Sequence, residues 1–390
     1  MPGMFSRELR ALAAAVLIVA SATPGRGEPA PVVVGAEETV FDWSEDRCER
    51  WDIPDTPARA WRGDDGLVRL VAGSERSRAS VGPELDRLAR DCAVLHQGAG
   101  ADDPDAYDDR VWLHATFTDG GARVVALAHD EYHGHRRPDR CPAGGYMACW
   151  SNAILELVST DGGQSFAPAE GAGFVAGPAT RYTGAAGRRV GYFNPSNILE
   201  RDGWLYAFVF AERDGPQRRG PCLMRRPAAG GATAWRAWDG AAFRVRFADP
   251  YREAVSDPAA HACAPLAPLT STISGVVRHM PSGRYLAVTP ATLRGIDGVT
   301  RSGIWWTTST DLVTWSPPKL LWEVPLLWRR DCAAAAAYAY PSLLDPASGS
   351  DNFDTAGSEF WLYLVRMPLD GACRIGPERD LVRLRISWPA

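Results

Sequence analysis

Apolar and aromatic positions alternate with polar ones along most of the chain, and helical spacing is almost absent. Thr, Val, Tyr, Trp and Phe recur in short runs broken by Gly, Asp and Pro, which predicts many short strands and a mostly β protein. One unit returns: an apolar strand, a polar turn often holding Asp-Gly, a second aromatic or aliphatic strand, then a longer loop. It occurs as "PARAWRGDDGLVRLVAGS" from Pro57, "VWLHATFTDGGARVVALAHDEY" from Val111, "PSNILERDGWLYAFVFAE" from Pro195 and "ISGVVRHMPSGRYLAVTP" from Ile273, and more loosely from Tyr340. The middle three units are followed by a further strand pair or its remnant, two of them through turns with one logic, "STDGGQSF" at Ser159 and "STDLVTW" at Ser309. Asp shapes each turn, and the aromatic that follows plugs the gap to a neighbouring sheet.

Four-stranded sheets repeated at such intervals, with aromatics between them, predict a β-propeller, and five hairpins predict five antiparallel blades. The expected boundaries are a signal segment over 1–22 and a single propeller domain over 23–390. The N-terminal "PVVVGAEETVFDW" is expected to pair with the C-terminal "RDLVRLRISW" and close the ring. A two-sheet sandwich is the alternative.

At 46% hydrophobic and 23% charged over 390 residues, the chain has ample apolar material for a core. Its formal charge of −5 is spread over both halves, and the arginine pairs (Arg188–Arg189, Arg218–Arg219, Arg225–Arg226) are interrupted by acids and glycines, so nucleic acid is not an expected partner. Arg7 and Arg10, the apolar run Ala11 to Ala20 and the small residues Ala20-Ser21-Ala22 read as a cleaved secretory signal. The run is too short to span a membrane, and no later segment comes close. A secreted or periplasmic monomer is the expectation. Export makes the eight cysteines disulfide partners rather than metal ligands or catalytic thiols. Cys141–Cys149, which would close the loop after His135, and Cys332–Cys373 are expected pairs.

In a propeller, the loop entering each inner strand and the loop leaving the second strand lie at one end. That places Asp52 and Asp55, Asp130 and Glu131, and Glu212 at one mouth, from three consecutive blades. Glycosidic cleavage needs such a set: one protonated carboxyl to assist the leaving oxygen, one ionised to activate water or attack carbon, and a third to tune the first.

This pattern resembles the five-bladed propeller glycoside hydrolases, the superfamily that includes arabinanases and xylosidases of family 43 and the invertase-like family 32. The resemblance covers nearly all of the mature chain as architecture. It implies a general-base Asp on blade one, a pKa-modulating Asp on blade two and a general-acid Glu on blade three. By position these are Asp55 or Asp52, Asp130, and Glu212. In the family the acids sit near the start of inner strands, whereas Asp130, Glu131 and Glu212 follow second strands, so Glu131, beside histidines and Tyr132, is the alternative acid. "STDGGQSF" is similar to the sialidase Asp-box, S-x-D-x-G-x-x-F/W; "STDLVTW" lacks the glycine.

The stretch "HDEYHGH" is the densest chemistry in the chain. His129, Glu131 and His133 share one face of a strand, and the order differs from the zinc motif H-E-x-x-H, so an acid/base or sugar-binding role is preferred to a metal. No cofactor is expected; a structural calcium in the channel is compatible, although no ligand set declares itself. Asp52 and Asp55 also suit a turn in "DIPDTP". Arg59, on an inner strand, would need a carboxylate partner. Glu212 also suits pairing with a nearby arginine. Asn194, Asn197 and Tyr340 are candidate sugar-binding groups beside Arg59, His129 and His133. The first reading is a secreted glycoside hydrolase, inverting by analogy, acting on a polysaccharide or oligosaccharide. A non-catalytic carbohydrate-binding propeller and a sialidase-like exo-glycosidase are the alternatives.

Overall fold

The computed structural model describes residues 30–142 and 144–389, so the expected signal segment lies outside the described residues. Strands dominate, and helix is confined to a few single turns. All five recurring units form antiparallel hairpins: Arg59–Arg62 with Val68–Val71, Val111–Thr118 with Val124–His133, Leu199–Arg201 with Trp204–Ala211, Gly275–His279 with Arg284–Arg294, and Ala336–Leu344 with Glu359–Pro368. Of their strands, Val68–Val71 and Val124–His133 are buried at every position, with side chains turning into the layers on both sides of the sheet.

The first hairpin extends through Ala79–Glu84 and Arg87–Arg90 into a four-stranded sheet. The second and third belong to one larger sheet, joined where Ser151 and Asn152 run parallel to Val190 and Gly191. In the last sheet Val32–Phe41 pairs antiparallel with Asp380–Ser387, from Val32 opposite Ser387 to Phe41 opposite Leu381. The two ends of the fold are thus tied, as the sequence predicts.

Between the first and last sheets lie Ala60, Leu70, Tyr363, Val365 and Met367 in one buried cluster. The Asp161 turn behaves as its pattern requires: Asp161 Oδ1 accepts from the amides of Gln164 and Ser165, and Phe166 meets Trp61 of the first sheet edge to face at 6.2 Å. In the shorter turn Leu312 takes the left-handed conformation (φ 69°) that Gly162 takes in the longer one (φ 73°). Its side chain is fully buried, which offsets the roughly 1–2 kcal/mol of backbone strain.

Four disulfides form: Cys48–Cys92, Cys141–Cys149, Cys222–Cys263 and Cys332–Cys373. Both expected pairs are among them. Among the described residues no helix is long and apolar enough to cross a membrane.

Inner strands of separate sheets meet side by side. Arg59 reaches across them, donating from Nε to the carbonyl of His114 (2.9 Å) and from Nη2 to that of Ser274 (2.5 Å). His114 is the extra residue at a register shift in Val111–Thr118, so its carbonyl is free of the ladder. The expected carboxylate partner is absent among the described residues. Carbonyl dipoles take its place, and burial brings the guanidinium down to about 9.

Candidate active site

Strand Val124–His133 carries its last residues on two faces. His129, Glu131 and His133 point one way and Asp130 the other, as a two-residue period dictates. Glu131 is buried between the two imidazoles: Oε1 lies 3.0 Å from His129 Nε2 and Oε2 lies 2.9 Å from His133 Nε2. His129 Nδ1 faces the Asn194 amide at 3.5 Å, which assigns its proton to Nε2 and makes that nitrogen the donor to Glu131. Burial works to raise the Glu131 carboxyl, but the hydrogen bonds from both histidines outweigh it and hold the group at about 2. His133 is itself fixed by stacking on Tyr146, rings 4.9 Å apart and 16° from parallel.

Asp55 comes from the segment entering the first strand. Its amide donates to the Ala72 carbonyl at 2.9 Å, which pins the turn. Its carboxylate accepts from the Tyr340 hydroxyl at 3.2 Å and is in contact with the Arg379 guanidinium. Burial, opposed by Arg379 and the tyrosine and reinforced by the charge of Glu131, raises this carboxyl above the ordinary aspartate range. Tyr340 reaches it because a register shift between Ala339 and Ser342 breaks the ladder there and Tyr340 takes φ 56°. Such a bulge re-aims a side chain at a sheet rim. Burial and the charge of Asp55 push the Tyr340 hydroxyl well up, and burial with the charge of Glu131 pushes Tyr146 up to about 12. Asp55, Glu131, Tyr340 and Tyr146 therefore act on one another electrostatically. A cavity of about 420 Å³ opens beside Asp55, lined by Trp51, Asp55, Glu75, Arg110, Trp112 and Arg379.

The other candidates are engaged elsewhere. Asp52 is almost fully buried and serves as counter-charge to Arg90, with Arg78 at 3.8 Å and the Cys48 amide at 3.0 Å. These partners hold its carboxyl low despite burial. Asp130 accepts from the Asp109 amide at 2.9 Å on the reverse of the strand, where burial and neighbouring acids push it well up. Glu212 is clamped between Arg189 (2.6 Å) and Arg219 (2.9 Å). It also stands apart from Glu131: Glu131 pairs with Asn152, Asn152 with Gly191, and the Glu212 amide bonds the Gly191 carbonyl. Three strand spacings put the two backbones about 14 Å apart. Asn197 spends its amide group on the backbone of Val276, accepting and donating at 2.8 Å. The expected meeting of acids from three units is thus reduced to Asp55 and Glu131.

Sequence reasoning did not single out Arg379, Arg110 or Trp112, and placed Tyr146 in no role. The loop closed by Cys141–Cys149 was the available signal for Tyr146. Arg379 immediately precedes the closing strand, and nothing in its local sequence marks it.

No protein-family model and no curated protein sequence matches the chain. Several solved structures are similar to it. The alpha-L-arabinanase of Cellvibrio cellulosa complexed with arabinohexaose is 11% identical, over 85% of this chain and 90% of that one, with a TM-score of 0.47. The exo-inulinase of Aspergillus awamori is 10% identical, over 88% and 62%, with a TM-score of 0.48. The Trypanosoma rangeli sialidase in complex with the inhibitor DANA is 9% identical, over 92% and 60%, with a TM-score of 0.37.

Proposed function

We propose that this protein is an exported glycoside hydrolase, a ring of five four-stranded sheets whose mouth holds Asp55 as general acid and Glu131 as the ionised partner. The observation that carries this reading is a pair of carboxyls that feel one another's charge, one of them lining a cavity, driven in opposite directions by their surroundings: Asp55 raised, Glu131 held at about 2. Pairs separated in this way define acid and base roles. The roles are the reverse of those implied by position in the sequence. Glu131 has roughly four lone-pair sites and the histidines occupy two, which leaves it able to accept a proton from water. Tyr340 and Arg379 orient Asp55. Four disulfides support export, and the five hairpins with tied chain ends support the ring.

The test is a screen of aryl glycosides and polysaccharides with the wild type beside Glu131→Gln and Asp55→Asn. Cleavage by the wild type and its loss in both variants supports the reading. A wild type that binds glycans and cuts none refutes it and leaves a carbohydrate-binding protein.

A second reading is favoured by the Tyr340 hydroxyl resting on Asp55. Here the Tyr340 oxygen attacks the sugar carbon while Asp55 takes its proton, the glycosidic C–O bond breaks and the leaving oxygen takes up a proton from water, as in hydrolases with a tyrosine nucleophile. Tyr340→Phe separates the two: it abolishes turnover if Tyr340 is the nucleophile and lowers it by only about tenfold if it orients Asp55.

A further inference from the structure

A second cavity, of about 330 Å³, adjoins the one beside Asp55. The two share Glu75, Gln97 and Arg110, so they are lobes of one depression with the Arg110–Glu75 ion pair as the saddle between them. Each lobe alone sits near the lower end of the range of small-ligand pockets, roughly 300–1,000 Å³.

The first lobe presents Trp51, which is 58% exposed. An indole so open to water beside a polar cavity contributes little to the core. Its free face is a platform for the C–H face of a sugar ring, and burial of that face is the driving force. The second lobe is bordered by Gly98, Ala99 and Gly100, which have no side chain larger than a methyl group, and so stays wide enough for a ring to lie across them. Of its cations, Arg137 is committed to Asp109 and Asp102. Arg136 is exposed, with no ion-pair partner among the described residues, and is free to donate to hydroxyl or acidic groups of a ligand.

We infer that the depression is a groove that holds a run of several sugars: the cleaved bond lies at Asp55, and the chain continues over the Arg110–Glu75 saddle to Ala99 and Arg136. The substrate class is then an oligosaccharide or polysaccharide gripped along its length, not a single terminal sugar. This rests on the hydrolase reading for its chemistry, but not for its binding.

The experiment compares wild type, Trp51→Ala and Ala99→Trp on disaccharide, tetrasaccharide and hexasaccharide members of the arabino-, xylo- and fructo-oligosaccharide series. In whichever series is cleaved, wild-type kcat/KM should rise about tenfold or more from disaccharide to hexasaccharide, and either variant should flatten that rise. Thermal melts confirm that each variant is folded, and the two changes act at opposite ends of the groove, so one misfolded variant leaves the other as the test. A flat wild-type profile, or a slope unchanged in a folded variant, overturns the groove while leaving the hydrolase intact. If nothing is cleaved, calorimetric titration with the same sugars decides: affinity that grows with length and is lost in Ala99→Trp supports the groove, and absence of binding overturns it.

Discussion

Replacing Glu131 by Gln keeps shape and removes charge, so it isolates what the two histidines do to this carboxylate. The amide oxygen can still accept from one imidazole. Its NH₂, however, meets the other Nε2–H donor head to head, and His133, whose Nδ1 has no partner, can relieve this only by moving its proton to the unpartnered side. Lowering the carboxyl from its ordinary 4.5 to about 2 corresponds to about 3 kcal/mol of native-state stabilisation. For a folded unit of this size, with about 2.1 cal/mol/K of unfolding entropy per residue, that is a fall in Tm of about 4 °C. A depressed carboxyl contributes in full above its unfolded pKa and loses its contribution as pH falls through the folded one. The Tm gap between wild type and variant should therefore be largest from neutrality down to about pH 4.5 and narrow toward pH 2. Thermal melts by circular dichroism across that range measure it, and turnover at neutral pH should fall about 10²- to 10⁴-fold in parallel. A gap under about 1 °C at neutrality, or one that widens on acidification, would show that the histidines do not hold Glu131 ionised.

Asp52→Asn strands Arg90 and Arg78 beside a neutral group and should cost about 3–5 kcal/mol by denaturant titration, with turnover per folded molecule unchanged; a large loss of turnover would place Asp52 in the chemistry after all. The raised Asp55 predicts that kcat/KM declines on the alkaline side as Asp55 loses its proton, at a pH above the ordinary aspartate range, and a pH profile that keeps rising into that limb contradicts its role as acid. Glu156→Gln, which weakens the wholly buried pair with Arg226 (3.1 Å) and the bond from Trp235 Nε1 (2.9 Å), should lower stability by several kcal/mol, measured by urea unfolding, without altering the pH profile. Reduction of Cys141–Cys149 frees the loop that sets Tyr146 against His133 and should raise KM more than it lowers kcat, a split that steady-state kinetics resolves.

Short runs of β-branched and aromatic residues between Gly, Asp and Pro were enough to read the strands and hairpins, because that pattern is local even where, as in Val124–His133, both faces are buried. Period-two alternation read the shared face of His129, Glu131 and His133, and the expectation of a closed ring gave the pairing of Val32–Phe41 with Asp380–Ser387. What stayed hidden depends on partners far along the chain. Asp52 and Asp55 are three residues apart in the same turn. One faces Arg90 and the other faces Tyr340 and Arg379, and nothing local distinguishes them. The bulge that re-aims Tyr340 has no glycine to announce it, and the carbonyls that satisfy Arg59 are backbone groups with no sequence signature.

The antiparallel ladder between Val32–Phe41 and Asp380–Ser387 gives the folding of this chain an order in time. Val32–Phe41 is synthesised long before Asp380–Ser387 and must wait unpaired until that strand has left the ribosome, so the sheets between them can condense during synthesis while the join cannot. Removing the closing strand should expose a long unpaired edge on Val32–Phe41 and on Glu359–Pro368 together, and such edges recruit other chains. Moving the termini to the exposed Gly295–Gly298 turn by circular permutation, with the present ends linked, would convert the join into an ordinary hairpin and remove the delay.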